Sequence, residues 1–173
     1  MARNIEIKAR ITSIEALLPL AQSVADHAPE LILQDDTFFA CAHGRLKLRA
    51  FADGRGVLIA YQRADATGPK TSDYLFTPTA DPSGLRDTLT RALGTAGRVV
   101  KQRTLLLAGR TRIHLDRVEG LGDFLELEVV LRDGESEAQG TAEAHALLAH
   151  LQIDASQFLA GAYVDLLQAK SSP

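Results

Sequence analysis

In a first strand predicted over residues 3–11, polar and apolar side chains alternate strictly from Asn4 to Ile11. On a strand, successive side chains point to opposite faces, so Asn4, Glu6, Lys8 and Arg10 share one side and Ile5, Ile7, Ala9 and Ile11 the other. The pattern returns in Arg45-Leu46-Lys47-Leu48-Arg49, in Arg110-Thr111-Arg112-Ile113-His114-Leu115-Asp116 and in Glu126-Leu127-Glu128-Val129. Several strands thus carry a charged row backed by an apolar row. A sheet curled with its charged faces inward would be a barrel built to hold an ion.

The remaining periodicities predict a helix from the Thr12-Ser13 cap to about residue 28, with Pro19 suggesting a break. Strands are expected at 31–42, 45–51, 57–63 and 72–77, with Gly44 and the Asp53-Gly54-Arg55-Gly56 run as turn signals. A helix over 83–93 closes at Gly94, and strands follow at 98–107, 110–117 and 123–132. Helices at 135–151 and 154–169 end the chain. Clustered strands with few long crossovers predict an α+β fold, an eight-stranded antiparallel β-barrel with surrounding helices. Such a barrel is about the smallest whose interior can hold a small ligand. Two β tracts, each followed by a helix, hint at two related halves, and 173 residues suit a single domain over 1–173.

Composition changes this picture little. Hydrophobic residues make up 46% of the chain and charged residues 24%, as in ordinary globular proteins. The 19 Lys and Arg against 22 Asp and Glu give a formal charge of −3, so bulk charge offers no support for a nucleic-acid partner. One cysteine, Cys41, excludes a disulfide framework and is expected to pack at a strand end. No segment approaches the ~18 consecutive apolar residues of a membrane span. No secretory signal is evident, and the cytoplasm is the expected location.

Three carboxylates stand out: Glu6 on the first strand, and the co-facial Glu126 and Glu128 on the last. Oxygen-only ligands suit Mg²⁺ or Mn²⁺, which bridge a few carboxylates to phosphates. The cations Lys8, Arg45, Lys47, Arg49, Arg63, Lys101, Arg103, Arg110 and Arg112 fall mostly two apart. Arginine forks and lysine point charges suit phosphate oxygens. For any one pair a solvated face is the plain alternative, but recurrence on four strands moves the reading toward a site. His114 and Asp116 continue the face of Arg112, and a structural role is the commoner fate of such a histidine. Lys70 and Ser72 can cap a phosphate tail or lie on the surface, while Tyr61, Tyr163 and Asp165 read as core or surface residues.

Taken in order, these stretches resemble the CYTH superfamily, or triphosphate tunnel metalloenzymes, which joins class IV adenylate cyclases and thiamine triphosphatases. The resemblance rests on Asn4-Ile5-Glu6-Ile7-Lys8, Gly44 to Arg49, Leu58 to Arg63, Lys70 to Tyr74 and Ala162 to Leu167. It rests above all on the run from Ile113 to Glu128. The resemblance implies a tunnel taking a small-molecule triphosphate, with Glu6, Glu126 and Glu128 holding Mg²⁺ or Mn²⁺. It implies Lys8, Lys47, Arg49, Arg63, Lys101, Arg103 and Arg112 on phosphate oxygens, with Lys8, Glu6 and Glu128 closest to the chemistry. The expected activity is phosphoryl hydrolysis or adenylate cyclisation by a monomer or homodimer, with no membrane or nucleic-acid partner. A non-catalytic module binding polyphosphate or nucleotide is the alternative. The family's opening glutamate is Asn4 here, which removes one negative charge from the expected metal site.

Overall fold

The computed structural model describes residues 2–171. Strand β1 (Ala2–Arg10) is followed by helix α1 (Ile14–Val24) and a four-strand meander of β2 (Glu30–Phe39), β3 (Arg45–Phe51), β4 (Gly56–Arg63) and β5 (Lys70–Thr79). Helix α2 (Pro82–Leu93) leads to β6 (Thr95–Ala108), β7 (Thr111–Val118) and β8 (Gly122–Val130), and helices α3 (Glu137–His150) and α4 (Tyr163–Ser171) complete the chain. The eight strands close into a barrel in the order β1-β5-β4-β3-β2-β6-β7-β8. Every neighbouring pair is antiparallel.

The barrel is apolar on its outside wherever a helix covers it. Outward-facing Ile7, Ala9, Leu106, Ile113, Leu115, Leu125 and Leu127 pack under Ile14, Leu17 and Ala21 of α1 and Leu148 of α3. Ile5, Val129 and Leu131 pack under Ala144 of α3. Each such buried aliphatic side chain contributes about 1.5–3 kcal/mol. The helices are therefore the lid on the strands' apolar rows, and the charged rows are left facing inward. α2 packs on β2 and β3, tied there by Arg86 donating to Asp35 of β2, which also accepts from Arg98 of β6.

Local chemistry explains the boundaries. Ser13 caps α1, accepting from the Ala16 amide. Pro19 does not break the helix: it lies on the exposed side, where the missing amide costs least, and α1 stops at Val24, short of residue 28. Gly94 ends α2 with a φ of 76°, where a side chain would be strained. The expected helix over 154–169 is not continuous. A single 3₁₀ turn at Ala155–Gln157 gives way to extended chain, in which Phe158 bridges Ala9, and α4 starts only at Tyr163. Gly161, with a φ of 77°, marks the interruption. Cys41 is exposed in the 40–44 loop, because β2 ends at Phe39, before residue 42.

Gly140 lets α3 lie close on the barrel. A Cβ there would stand 2.6 Å from Leu131 Cδ2 and 2.7 Å from Ile5 Cγ1. Alanine gains about 1 kcal/mol in helix propensity, but overpacking costs about 1–3 kcal/mol. Gly140→Ala is therefore expected to lower the urea midpoint without changing the slope. An unchanged or higher midpoint would show that the contact relaxes freely.

Candidate functional site

Strand alternation turns a row of charges from each half of the barrel into one enclosed cavity. Its lining includes six cations, Lys8, Lys47, Arg49, Arg63, Lys101 and Arg103, and four carboxylates, Glu6, Asp36, Glu126 and Glu128. The space enclosed is about 700 Å³, open solvent at its mouth included. Most of these groups are almost dry: Lys8 is 2% exposed, Lys101 4%, Arg103 5% and Asp36 2%. Burying unpaired charge is prohibitive, so the groups must hold one another.

They do so through two matching clamps. Asp36 on β2 accepts from Lys47 Nζ at 2.9 Å and from Arg49 Nε and Nη2, both at 2.7 Å. Asp116 on β7 accepts from Lys101 Nζ at 2.8 Å and from Arg103 Nε and Nη2, both at 2.7 Å. In each case an Asp stands directly opposite the Arg of a Lys-X-Arg stretch on the neighbouring strand. Tyr163 Oη adds a fourth donor to Asp116 at 3.0 Å. Burial by itself would raise both Asp pKa values, but the adjacent Arg and Lys charges win and hold both well below the usual carboxylate range. Burial and the Arg103 charge push Lys101 down to about 7 against the pull of Asp116. Burial, with Arg63 and Lys8 nearby, pushes Lys70 down to about 8.

The third group of charges gathers around β1 and β8. Glu6 stands directly opposite Glu128, and Lys8 opposite Glu126. Glu6 is ion-paired with Arg63, Lys8 Nζ lies 3.7 Å from Glu126 Oε2, and Arg112 Nη1 lies 3.3 Å from Glu128 Oε2. Lys8 and Arg63 also donate to the Gly161 carbonyl, at 3.2 and 2.7 Å. Lys8 Nζ lies 4.1 Å from the centre of the Tyr163 ring. Residues 162–164 thereby fill one end of the barrel, packed on Phe38, Val99, Val118 and Phe124.

Among the described residues, His114, Glu126 and Glu128 bring one ligand atom each within 4.8 Å of one another. His114 Nδ1 is buried with no hydrogen-bond partner, 3.9 Å from an oxygen of each glutamate. Asn4 Oδ1 is likewise buried and unpartnered. The unpartnered Asn4 oxygen and the carboxylates that line the same cavity fit a divalent cation with oxygen ligands. Arginine can only donate, so the 3.4 Å contact of Arg103 Nη1 with His114 Nε2 makes that nitrogen the acceptor. The neutral ring then carries its proton on Nδ1, facing the carboxylates. Burial and the Arg103 charge lower the His114 pKa, which favours that neutral form.

The structure separates the sequence candidates. Lys8, Lys47, Arg49, Arg63, Lys101, Arg103, Glu6, Glu126 and Glu128 converge on the cavity, and Arg112 joins them through Glu128. Arg110 does not share the face of Arg112, because it lies in the turn before β7; it pairs with Glu135 and Glu143 outside. Arg45 stands at the filled end, held by Asp65 and Asp165. Lys70 is buried and donates to the Ala66 carbonyl, and Ser72 lines the cavity. Tyr61 and Tyr163, read from sequence as core or surface, line it too. Asp36 was missed. Its signal was parity: it falls on the same strand face as Gln34 and Phe38, opposite the Lys47-Leu48-Arg49 stretch.

Removing one partner from a buried ionic cluster costs about 3–5 kcal/mol, because the other charges are left uncompensated. Asp36→Asn is expected to destabilise the free protein by about that amount in denaturant unfolding. A loss near zero would mean that water already reaches Lys47 and Arg49.

Comparison with known proteins gives a consistent answer. The family model of the CYTH domain matches residues 2–163. No curated protein matches the chain. PH1012 from Pyrococcus horikoshii OT3 superposes with a TM-score of 0.84 at 21% identity, covering 94% of this chain and 98% of its own. HpAC1 from Hippeastrum, described as a candidate adenylyl cyclase with a dominant triphosphatase activity, superposes at a TM-score of 0.70 and 16% identity, over 100% of this chain and 98% of its own. A chain of the Mediator head module from Schizosaccharomyces pombe superposes at 0.66 and 9% identity, over 87% and 94%. At these identities the structural likeness speaks for the fold, while the family match spans almost the whole chain: this protein belongs to the CYTH family.

Proposed function

We propose that the chain is a metal-dependent enzyme acting on a small-molecule triphosphate held in the barrel. The observation that carries this reading is that six cations line the cavity against four carboxylates, still an excess when Asp116 behind Lys101 and Arg103 is counted. Such a surplus in a low-dielectric interior is stabilised by a multivalent anion. Lys47 and Arg49 from one half and Lys101 and Arg103 from the other would grip phosphate oxygens from two sides. Lys8 and Arg63, now donating to a single backbone carbonyl, would take the same role at the centre.

Glu126 and Glu128, with Glu6 across the strand from Glu128, would hold Mg²⁺ or Mn²⁺. When bound, that ion supplies charge neutralisation on the phosphate oxygens. His114, with its Nδ1 proton toward Glu126 and Glu128, would orient those carboxylates. In hydrolysis a water oxygen attacks phosphorus, the bridging P–O bond breaks, and a carboxylate of the Glu6–Glu128 pair takes the water proton. Lys8 and the arginines then stabilise charge on the transferred group. Adenylate cyclisation uses the same grip with a ribose hydroxyl as nucleophile and pyrophosphate leaving. Among the described residues, no helix is long and apolar enough to cross a membrane.

Asn4, which replaces a carboxylate of the family motif, favours a second reading as a binding module without turnover. Phosphate release from tripolyphosphate, ATP and thiamine triphosphate with Mg²⁺ or Mn²⁺ separates the two. Turnover that vanishes in Glu128→Gln, with the fold retained, is expected. Tight binding with no product over hours would overturn the enzyme reading.

The grip should also depend on pH. An unfolded lysine keeps its proton up to about pH 10.4. Folded Lys101 releases it near 7. Between those values the unfolded chain binds more protons, so this group makes the free protein more stable as pH rises. A bound triphosphate favours the ammonium and reverses the trend. The gain in melting temperature from tripolyphosphate is expected to be larger near pH 6 than near pH 9, and Lys101→Met should flatten the difference. An equal gain at both values in the native chain would place Lys101 away from the ligand.

A further inference from the structure

Tyr163, the first residue of α4, is tied to three strands of the barrel at once. Its hydroxyl donates to Asp116 of β7 at 3.0 Å. Its ring centre lies 4.1 Å from Lys8 Nζ of β1 and 4.8 Å from Lys101 Nζ of β6. The residue is buried, and its ring packs 5.0 Å from that of Phe124, inclined by 57°. The backbone around it is fixed from two directions. Gly97 of β6 leaves room for Val164, whose Cγ2 a side chain there would meet. Asp165, ion-paired with Arg45, accepts from the Ala162 amide at 2.7 Å. The two lysines therefore settle on a ring that is already held.

A tyrosine hydroxyl has one proton to give. Burial, with the charges of Asp116 and Glu126, raises the Tyr163 pKa well above its usual value, so that proton stays in place and is committed to Asp116. The hydroxyl is then neither a base nor a donor to an incoming anion. What it does reaches the cavity through its neighbours. Asp116 Oδ2 accepts from Lys101, Arg103 and Tyr163. Asp36 Oδ2, among the described residues, accepts from Lys47 and Arg49 alone. The third donor offsets part of the negative charge that Lys101 meets. The ring face meanwhile offers both ammonium groups an attraction that holds no counter-charge of its own.

Resting on the reading of the cavity as a triphosphate site, we propose that Tyr163 is a positioning residue for it. Its hydroxyl occupies Asp116 and its ring face holds Lys8 and Lys101, so both ammonium groups stay within reach of phosphate oxygens instead of collapsing onto Asp116 and Glu126. Two ammonium groups from separate strands repel each other in a dry interior, and one shared ring face lowers that cost. Lys101 is also faced by Arg103 of its own strand, Asp36 of β2, Arg49 of β3 and Glu126 of β8. All of these keep their charges when only the Tyr163 hydroxyl is removed.

Tyr163→Phe keeps the ring and removes the hydroxyl. Asp116 then pulls harder on Lys101, which releases its proton near 7 in the native chain and keeps it to higher pH in the variant. Calorimetric titration with tripolyphosphate from pH 6 to pH 9, without added metal ion, reads this in both proteins, since the ligand's own protonation is common to them. The pH at which affinity falls off is expected to rise by roughly half a unit in Tyr163→Phe. A residue that only filled space would change stability without moving that fall-off. Tyr163→Leu removes the ring face as well and is expected to bind about tenfold more weakly than Tyr163→Phe at pH 6. A fall-off that stays or moves down in Tyr163→Phe, or equal binding by the two variants at pH 6, overturns this inference and leaves the triphosphate site standing. If Tyr163→Leu does not fold, as judged by urea unfolding, Tyr163→Phe decides alone. Failure of the native chain to bind tripolyphosphate removes the triphosphate reading and this inference with it.

Discussion

The structure depends on one arrangement: cations buried in pairs inside a sheet, each pair locked by an aspartate from the next strand. Lys47 and Arg49 cannot stay dry beside each other without Asp36, nor Lys101 and Arg103 without Asp116. Because these side chains occupy the interior, the apolar rows of the same strands must face outward. The helices then have one task in folding, which is to cover those rows. Closure has to be supplied by the strand ladders and the outer apolar packing, since an open sheet would leave the charged face solvated at lower cost.

The two clamps also explain the hint of internal repetition. One lies between β2 and β3, the other between β6 and β7, and in both the aspartate opposes the arginine. The proposed triphosphate, lying between them, would meet one guanidinium and one ammonium from each side. The aspartates keep the forks extended before anything binds, so less side-chain entropy is lost on binding. The stretch before α4 supplies a partner for the central cations. The Gly161 carbonyl takes hydrogen bonds from Lys8 and Arg63, but it carries only a partial charge and cannot neutralise both.

Membership of the CYTH family fixes the architecture more firmly than the chemistry. Barrel geometry by itself does not imply turnover, because one fold can host unrelated functions. Function has to be argued from the side chains in the lumen: paired Lys-X-Arg rows, carboxylates facing across β1 and β8, and orphaned atoms on Asn4 and His114.

Much of this was legible in the amino-acid order because strand alternation has a period of two and needs no tertiary information. Residues 4–10, 45–49 and 126–129 declared which side chains share a face, and the turn glycines separated the strands well enough to count eight. Alternation fails at strand ends, which is why Arg110 and Arg45 were grouped with cations they do not join. It also cannot say who pairs with whom across the barrel. That Asp36 meets Arg49, that Glu6 faces Glu128 and that Tyr163 reaches Asp116 are matters of register and closure. The sequence by itself determined the charged and apolar faces of each strand, since a covalent chain sets that locally. Only the tertiary structure decided which face became the inside and which charges neutralise one another, because burial and Coulomb contact arise between residues far apart along the chain.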